Sequence, residues 1–520
     1  MTDALDQLER NILSNSTPPP AHVNTIAHRN PKTYQFFLTI TSIIGYTFIF
    51  GFPITTLLLA AFIPNQIITA EDFIGVSVIF IEIATALITA SLSITLFQLK
   101  PIAPSGRPLS TDEAPKLFSL IDELNLDYSK QKLQPKIHQI KISQHYELKI
   151  IRTPRNGFPL FFTNTLIIGL PFLQCHSPKQ LKTLMALQII HLSGARSRLS
   201  SWLFFSGSYW QQYNFSLKKQ VKSPNIFLLF FFSWFSPLYN LLAQGAEKLE
   251  HYYVDQLFSK KIGCNEVSDA IIQSYISEKY LDDLFWPNLN NKAYRHKTPP
   301  YMPYASIERN LKSKLDDITR QSWLDSALND MSESACRPSL LNRLKKLNIN
   351  SPKLPGALQI SSAEYFLDDT LYVLIHQMDK VWSMSNQFTW QKKYIKGQTE
   401  RIELKELHIQ AEQGLLSDSR IWDYIQLIKR YKDEQQAAEL YKDILKLNIQ
   451  DARISFEIGQ TLLEQMDNDG IEAIEKSIQQ ETGYTVMACK LLTRYYSRMG
   501  DNRAAQSCRR RALEHQVNSA

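Results

Sequence analysis

Two long apolar runs near the start of the sequence constrain its fold more than any other feature. Tyr34–Phe62 is almost uncharged and rich in isoleucine, leucine and phenylalanine, and Phe73–Phe97 is a second run of the same kind. Each exceeds the ~20 residues that a helix needs to cross a bilayer. We therefore expect a transmembrane helical hairpin over residues 33–98. Glu82 interrupts the second run, and because an intramembrane carboxylate is costly it is either functional or turned toward the partner helix.

The basic residues around this hairpin predict its orientation. Residues 63–72, between the runs, contain no lysine or arginine, whereas basic residues flank the hairpin on its other side. These are Arg29, Lys32, Lys100, Arg107 and Lys116. By the positive-inside rule, we expect a multi-pass protein of the inner (cytoplasmic) membrane, with both termini and the bulk of the chain in the cytoplasm. Residues 1–32 are too polar for a signal peptide and are expected to form a flexible tail.

The composition narrows the class of protein further. A length of 520 residues suggests several domains, and 44% hydrophobic with 21% charged residues is typical of a folded chain. The net charge of +7 is modest, and no lysine- and arginine-rich block is interleaved with aromatic residues, so no nucleic-acid partner is expected. The five cysteines are scattered without a Cys-x-x-Cys pair, which favours a reducing compartment over disulfides or a thiolate metal site.

Residues 99–355 are predicted to form a globular α+β domain. Thr111, followed by two acidic residues, opens a helix that runs to about Leu124. Asn156-Gly157 predicts a turn, and Ser177 with Pro178 suits the start of a helix over Gln180–Gly194. Three short apolar or alternating stretches predict the strands of a small sheet: His138–Ile142, Glu147–Ile151 and Thr165–Leu170.

A third apolar stretch, Ile226–Leu242, is shorter, aromatic and interrupted by Pro237. We expect it to break at Pro237 and to pack on the domain or dip into the membrane interface. The alternative is a full third membrane span, which would place the following residues on the other side of the membrane. Gln244–Ile262 is predicted as a long helix that ends at Gly263.

The last part of the chain is predicted to be helical throughout. Residues 356–416 read as a helical connector, and residues 417–520 as paired helices with a repeat of ~34 residues. Small residues recur where paired helices would approach closely: Gly459, Ala473, Gly500 and Ala512. This pattern favours a tetratricopeptide-like array over a generic helical bundle. The expected fold class is therefore α+β but mainly α.

The Gln180–Gly194 helix carries the strongest chemical signal. Its apolar residues recur at a helical spacing, and His191 is the one histidine on that surface. In zinc peptidases such a helix carries His-Glu-x-x-His, where two histidines bind the metal and the glutamate is the general base. The matching positions here are Leu187, Gln188 and His191. One ligand is thus a hydrocarbon, and the base is an amide that accepts no proton at neutral pH.

Four landmarks in order along the chain carry a resemblance to a known family. They are Asn156-Gly157 through Gly169-Leu170-Pro171; Ser177–Leu181 with His191–Gly194; Glu250–Asp255; and Arg337–Leu344. With the hairpin before them and the helical tail after them, they resemble the HtpX-type membrane zinc metallopeptidases. The resemblance spans most of residues 30–350 and implies a gluzincin-like domain, in which a later helix supplies a glutamate ligand.

The departures from that family affect its chemistry directly. Leu187 and Gln188 replace the first histidine and the glutamate, His251 replaces the glutamate ligand, and Arg337 replaces a histidine. His191, Asp255, Pro338 and Arg343 keep the family identity. His191, His251 and Asp255 are candidate remnants of a two-histidine, one-carboxylate metal site. The alternatives are a core histidine at position 191 bonded to a backbone carbonyl, and a hydrogen bond between His251 and Asp255 that holds two helices.

The sequence therefore favours a pseudopeptidase without a cofactor, which binds proteins through its former substrate cleft and its repeats. One alternative is an active membrane zinc metallopeptidase with rearranged ligands that acts on membrane or misfolded proteins. Another is a membrane-tethered repeat adaptor whose middle domain is a scaffold. In each case the expected partners are the membrane and other proteins.

Overall fold

The computed structural model of the chain describes residues 30–69, 73–99, 104–128, 136–155, 158–193, 197–220, 226–329, 338–416, 418–445 and 451–518. The chain is mainly helical and contains a small mixed sheet. Its contacts define two units. The first unit combines Met1–Trp286 with Tyr301–Ser385, and the second combines Pro287–Pro300 with Asn386–Ala520. The expected polar tail lies outside the described residues, apart from its last three positions.

The first unit begins with two apolar antiparallel helices, α1 (Pro31–Thr69) and α2 (Phe73–Gln98). Both are long and apolar enough to cross a membrane. Helix α1 is longer than its apolar run and continues through Pro53 and Pro64, so most of the expected loop over residues 63–72 is helical. Between the helices, Gln66 Nε2 donates to Glu82 Oε1 at 3.2 Å. Glu82 therefore faces the partner helix, which was one of its two interpretations.

A four-stranded sheet follows, in the order β1-β2-β4-β3. Strand β2 pairs with β4 in parallel, and the other pairs are antiparallel. The three predicted strands are confirmed, although β4 begins earlier than expected and β1 was not predicted. The predicted turn at Asn156-Gly157 lies outside the described residues. The elements of this region are β1 (Arg107–Leu109), α3 (Pro115–Tyr128), β2 (Gln139–Ser143), β3 (Leu148–Arg155) and β4 (Phe158–Gly169).

The sheet leads into the central helix through the short helix α4 (Leu170–Cys175). The central helix, α5 (Pro178–Ser193), begins as predicted. Ser177 caps its first turn: the Ser177 Oγ accepts from the Gln180 N–H at 3.4 Å, and the Gln180 side chain accepts from the Ser177 N–H at 2.9 Å. The apolar face of α5 packs into the main core of the unit. Gly194, where the helix was expected to end, lies outside the described residues.

Two long helices, α6 (Arg198–Gln220) and α7 (Ile226–Ile262), pack against each other as an antiparallel pair. Ser200 Oγ donates to Glu250, Ser206 bonds to Tyr239, and Ser236 Oγ donates to the Trp210 carbonyl, so the residue numbers fall on α7 as they rise on α6. Helix α7 is the third helix long and apolar enough to cross a membrane.

The expectation that this third stretch breaks at Pro237 is wrong, because α7 continues through Pro237 to Ile262. A proline removes one backbone donor from a helix and introduces a local steric conflict. Extensive packing of the aromatic residues around Pro237 against α6 and α1 outweighs that cost. The predicted stop at Gly263 is confirmed, since Gly263 has a positive φ of 101°.

The rest of the first unit is a set of shorter helices packed on the same core. Helix α12 starts at Ser339, whose side chain accepts from the Asn342 N–H. These elements are α8 (Cys264–Lys279), a π-helical turn (Tyr280–Phe285), α10 (Ile307–Lys314), α11 (Asp317–Asn329), α12 (Leu340–Lys346) and α13 (Ser362–Leu367). Helix α9 (Trp286–Lys292) follows the π-helical turn, and all of its residues after Trp286 belong to the second unit. The long helix α14 (Thr370–Glu412) contributes residues to both units.

The second unit continues with six helices among its described residues. They are α15 (Asp418–Tyr431), α16 (Glu434–Leu445), α17 (Ala452–Glu464), α18 (Asp469–Gln480), α19 (Thr485–Arg498) and α20 (Asn502–Asn518). A Cβ atom on Gly459 would lie 2.7 Å from Ile474 Cγ1, so α17 and α18 approach closely at this glycine. The prediction that small residues permit close helix approach is confirmed at Gly459 and at buried Ala473. It is wrong at Gly500, where no atom lies within 4 Å of an added Cβ.

Candidate functional site

Helix α5 places the three residues of the degenerate zinc motif in or near the core. Leu187 is 4% exposed and belongs to the main hydrophobic core. Gln188 is half-buried, and His191, one turn further along, is 2% exposed. The hydrocarbon that replaces the first ligand therefore serves as a core side chain, and it offers no atom that could bind a metal.

The ring of His191 lies among other aromatic rings. Phe204 of α6 stacks on it with centroids 4.8 Å apart, and His251 of α7 meets it edge-on at 4.7 Å. The structure thus brings together the two histidines that the sequence singled out. His191 Nδ1 is buried and has no hydrogen-bond partner among the described residues. The interpretation of a core histidine bonded to a backbone carbonyl is not met at this nitrogen, which has no such partner among the described residues.

Asp255, one turn beyond His251 on α7, has a different partner from the one expected. Its two carboxylate oxygens accept from Arg343 Nε and Nη2, both at 2.7 Å. The Asp255 side chain is 2% exposed and that of Arg343 is 21% exposed, so this is a largely buried bidentate ion pair. It joins α7 to α12, and Pro338 precedes the N-cap of α12. Arg337 lies outside the described residues.

The electrostatics of this cluster favour neutral histidine. Burial, with a smaller contribution from the positive charge of Arg343, lowers the pKa of His191 to about 3. Burial alone would lower the pKa of Arg343, but the adjacent Asp255 carboxylate raises it above its usual range. His191 is therefore uncharged at neutral pH, and Arg343 is the cation nearest to the carboxylate.

These residues do not fit a zinc ion. A catalytic zinc site holds the metal with about three protein ligands and keeps one position open for water. Here His191 and His251 are close, but the Asp255 carboxylate is already paired with Arg343. No three histidine, cysteine, aspartate or glutamate side chains within the described ranges are placed to hold a metal ion together.

Sequence reasoning missed the contribution of α6 to this cluster. Phe204 covers the His191 ring, and Ser201 Oγ donates to the His191 carbonyl at 2.9 Å. Ser200 Oγ donates to the buried Glu250 at 2.6 Å, directly before His251. The polar and aromatic residues of Arg198–Gln220 were the available signal, but their pattern has no motif spacing that indicates a site.

The comparisons with known proteins add no family. No protein-family model matches the sequence, and no curated protein is significantly similar to it. The fold and composition define a broad class: a mainly helical protein whose described residues include three long apolar helices, which indicate membrane association.

The buried histidines predict a loss of stability on mild acidification. Burial also lowers the pKa of His176 to about 4. Both folded-state pKa values lie below the ordinary value near 6.5, because the folded protein holds these histidines in their neutral form. Below pH 6.5 the unfolded chain binds protons that the folded chain does not. The free energy of unfolding therefore falls as the pH decreases from 6.5 toward about 4 for His176 and about 3 for His191. Between pH 6.5 and 5 each buried histidine should lower the free energy of unfolding by about 2 kcal/mol, since one pH unit corresponds to about 1.4 kcal/mol.

Thermal unfolding of the detergent-solubilised protein, followed by circular dichroism from pH 7.5 to 5, measures this loss. His191→Leu should reduce the pH dependence by about half and leave the part due to His176. An unfolding midpoint that stays constant over this range in the unmodified protein would contradict the prediction.

Proposed function

We propose that this chain is a membrane-anchored pseudopeptidase: a relative of HtpX-type zinc metallopeptidases that has lost catalysis and binds proteins. In this proposal, the domain around α5 is a degenerate gluzincin-like domain and the helices after α14 are tetratricopeptide-like repeats. The arrangement of hairpin, small sheet, central helix, later helix and helical tail supports this order of domains.

The burial of Leu187 in the core, at the position of the first zinc ligand, is the observation that carries the proposal. Hydrolysis by a zinc-bound water requires a held metal and a group that removes the proton of the water. Asp255 is engaged by a cation, Leu187 lies in the core, and Gln188 cannot accept a proton at neutral pH. A rearranged metal site that used Asp255 as a ligand would require breaking the buried ion pair between Asp255 and Arg343.

The helical tail supports a protein-binding role. In solenoid arrays, each helix pair packs on the next, and the stack offers an extended binding surface. Here α17 packs closely on α18 at Gly459, and α19 packs on α20. In this proposal, these helices and the former substrate cleft bind protein partners.

The antiparallel pairing of α6 with α7 bears on membrane topology. Because α7 runs back along α6, a pair that entered the membrane would return the chain to the side from which it came. A third long apolar helix is therefore compatible with a cytoplasmic location for both termini, which remains part of the proposal.

Metal content and proteolysis test the proposed function together. Zinc in the detergent-purified protein, measured by mass spectrometry, should be far below one ion per chain. The protein should not cleave casein or an unfolded membrane protein, with or without added zinc. General-base loss alone typically costs on the order of 10²–10⁴ in rate, and the missing ligand adds to it.

Leu187→His combined with Gln188→Glu is the matched variant for this experiment. It should raise zinc affinity relative to the unmodified chain, because it adds a ligand and a base on the helix whose His191 already lies close to His251. If the unmodified protein cleaves substrate and phenanthroline stops the cleavage, it is an active metallopeptidase with rearranged ligands. If deletion of residues 417–520 alone abolishes partner capture, the adaptor role belongs to the tail.

A further inference from the structure

Helix α14 carries an exposed apolar stripe within the second unit. Four large apolar side chains recur every seven residues: Phe388, Ile395, Ile402 and Ile409. They are 78%, 67%, 60% and 52% exposed, respectively. Single exposed apolar residues are ordinary on protein surfaces, but four in one register along one helix form a continuous apolar line.

The opposite face of this part of α14 is already packed. Trp390 is buried and its Nε1 donates to the His296 carbonyl at 2.9 Å. Gly397 lies against Tyr294, where a Cβ atom would be 2.0 Å from the carbonyl oxygen. Glu400 accepts from Arg430 at 2.7 Å, and Leu407 is fully buried. These contacts fix the rotation of the helix, so the stripe faces away from the second unit.

The seven-residue spacing indicates what covers the stripe. A straight helix drifts by ~20° per heptad relative to a seven-residue repeat, and two helices that wind around each other with a left-handed twist remove that drift. A membrane-surface helix instead needs a broad apolar face. The positions beside the stripe are polar and exposed: Gln391, Lys392, Gln398, Thr399, Lys405 and Glu406. A narrow apolar seam with polar edges fits a partner helix.

We propose that the stripe is a self-association surface, on which α14 of a second copy of this chain packs antiparallel. A two-fold axis between Gln398 and Thr399 places Ile395 against Ile402 of the partner subunit and Phe388 against Ile409 of the partner subunit. Closed two-fold pairing is the commonest symmetry of homo-oligomers, and it requires a surface that is complementary to itself.

The charges beside the stripe agree with this arrangement. Lys392 and Glu406 lie seven residues on either side of Thr399, on the same edge of the seam, and both are exposed. Antiparallel pairing brings Lys392 next to Glu406 of the partner subunit, twice in the dimer. On the other edge, Lys405 lies beside Gln391 of the partner subunit, so no like charges are opposed.

The seam is short, since 22 residues of helix span only about 33 Å at 1.5 Å per residue. On its own it would give a modest interaction. Confinement of both copies to one membrane raises their effective concentration, which favours such an interaction without further contacts. The dimer does not depend on the proposed loss of catalysis.

The test is the oligomeric state of the full-length protein in detergent, measured by light scattering over a range of concentrations. The unmodified protein should form a dimer. Ile395→Glu with Ile402→Glu should convert it to a monomer while its helical circular dichroism stays unchanged, because both side chains are exposed. Ile318→Glu with Leu513→Glu is the matched control, since these residues are 63% and 62% exposed on helices other than α14; this variant should remain dimeric.

Charge exchange tests the orientation. Lys392→Glu should weaken the dimer, and adding Glu406→Lys should restore it, because the two positions meet across the axis. In a parallel pair Glu406 would lie near Lys405 of the partner, so Glu406→Lys would not rescue. If the unmodified protein is a monomer at every concentration, the proposal is wrong and the stripe binds a helix from a different protein. If the dimer survives Ile395→Glu with Ile402→Glu, the proposal is wrong and the two copies pair through another interface.

Discussion

Replacing Asp255 with asparagine is expected to destabilise the protein by about 3 kcal/mol. Removing one partner of a buried ion pair leaves an uncompensated charge and typically costs about 3–5 kcal/mol. The Asp255 side chain is 2% exposed, whereas Arg343 keeps 21% of its surface in solvent, so we expect the lower end of that range. The asparagine retains the shape of the aspartate but cannot neutralise the guanidinium.

Two further variants separate the charge effect from simple loss of a contact. Asp255→Leu with Arg343→Met removes both charges and should cost much less than the single change, because well-packed apolar residues often replace a buried pair without loss. Lys182→Ala removes one partner of the exposed pair with Glu123, at 2.8 Å, and should cost less than about 1 kcal/mol.

Denaturant unfolding of the detergent-solubilised protein, compared between variants, provides the measurement. The zinc content of Asp255→Asn, measured in the same preparations, should stay as low as that of the unmodified protein, because the substitution frees no carboxylate for a metal. A cost for Asp255→Asn no larger than that for Lys182→Ala would mean that the pair contributes little to holding α7 against α12.

The sequence pattern was sufficient to predict those helices and helix ends that are determined by residues adjacent in the sequence. The apolar runs predicted α1 and α2, Ser177 predicted the start of α5, and Gly263 predicted the end of α7. Each signal depends on neighbouring residues: length and hydrophobicity, a capping side chain, or a positive φ. Pro237 shows the limit of this reasoning, because distant aromatic packing keeps the helix continuous where a local rule predicts a break.

The candidate site was predictable in its residues but not in its pairings. Sequence reasoning singled out His191, His251, Asp255 and Arg343, and the structure places all four in one cluster. It did not predict that Arg343 would bind Asp255, since 88 residues separate them and neither position has a periodicity that links it to the other. Phe204 was missed for the same reason: stacking on a buried ring leaves no signal in a single sequence.

The exposed stripe on α14 illustrates a different limit. The seven-residue spacing of Phe388, Ile395, Ile402 and Ile409 can be read from the sequence. However, an apolar heptad is ordinarily the inward face of a helix, so the sequence alone would place it in the core. The packing of the opposite face, including buried Trp390, and the exposure of the four side chains show that the heptad faces outward.

Substituting alanine for Gly169 is expected to disrupt the junction between the sheet and the central helix. Gly169 ends β4, and its N–H donates to the Glu147 carbonyl at 2.8 Å. A Cβ atom at this position would lie 1.7 Å from the His145 carbonyl oxygen. That oxygen belongs to the backbone, so it cannot move aside as a flexible side chain would. Either the loop before β3 or the end of β4 must shift, and α4 and α5 follow directly from that point.

We expect Gly169→Ala to lower the free energy of unfolding by about 3 kcal/mol, which is the upper end of the usual range for overpacking a well-packed core. Gly356→Ala is the control, because no atom lies within 4 Å of the added Cβ and its φ is not in the left-handed region; it should change stability by less than about 0.5 kcal/mol. Limited proteolysis and thermal unfolding of the two variants, side by side, measure the difference. If Gly169→Ala unfolded at the same temperature as Gly356→Ala, the close approach of β4 to the His145 carbonyl would not exist in solution, and the position of α5 would need another explanation.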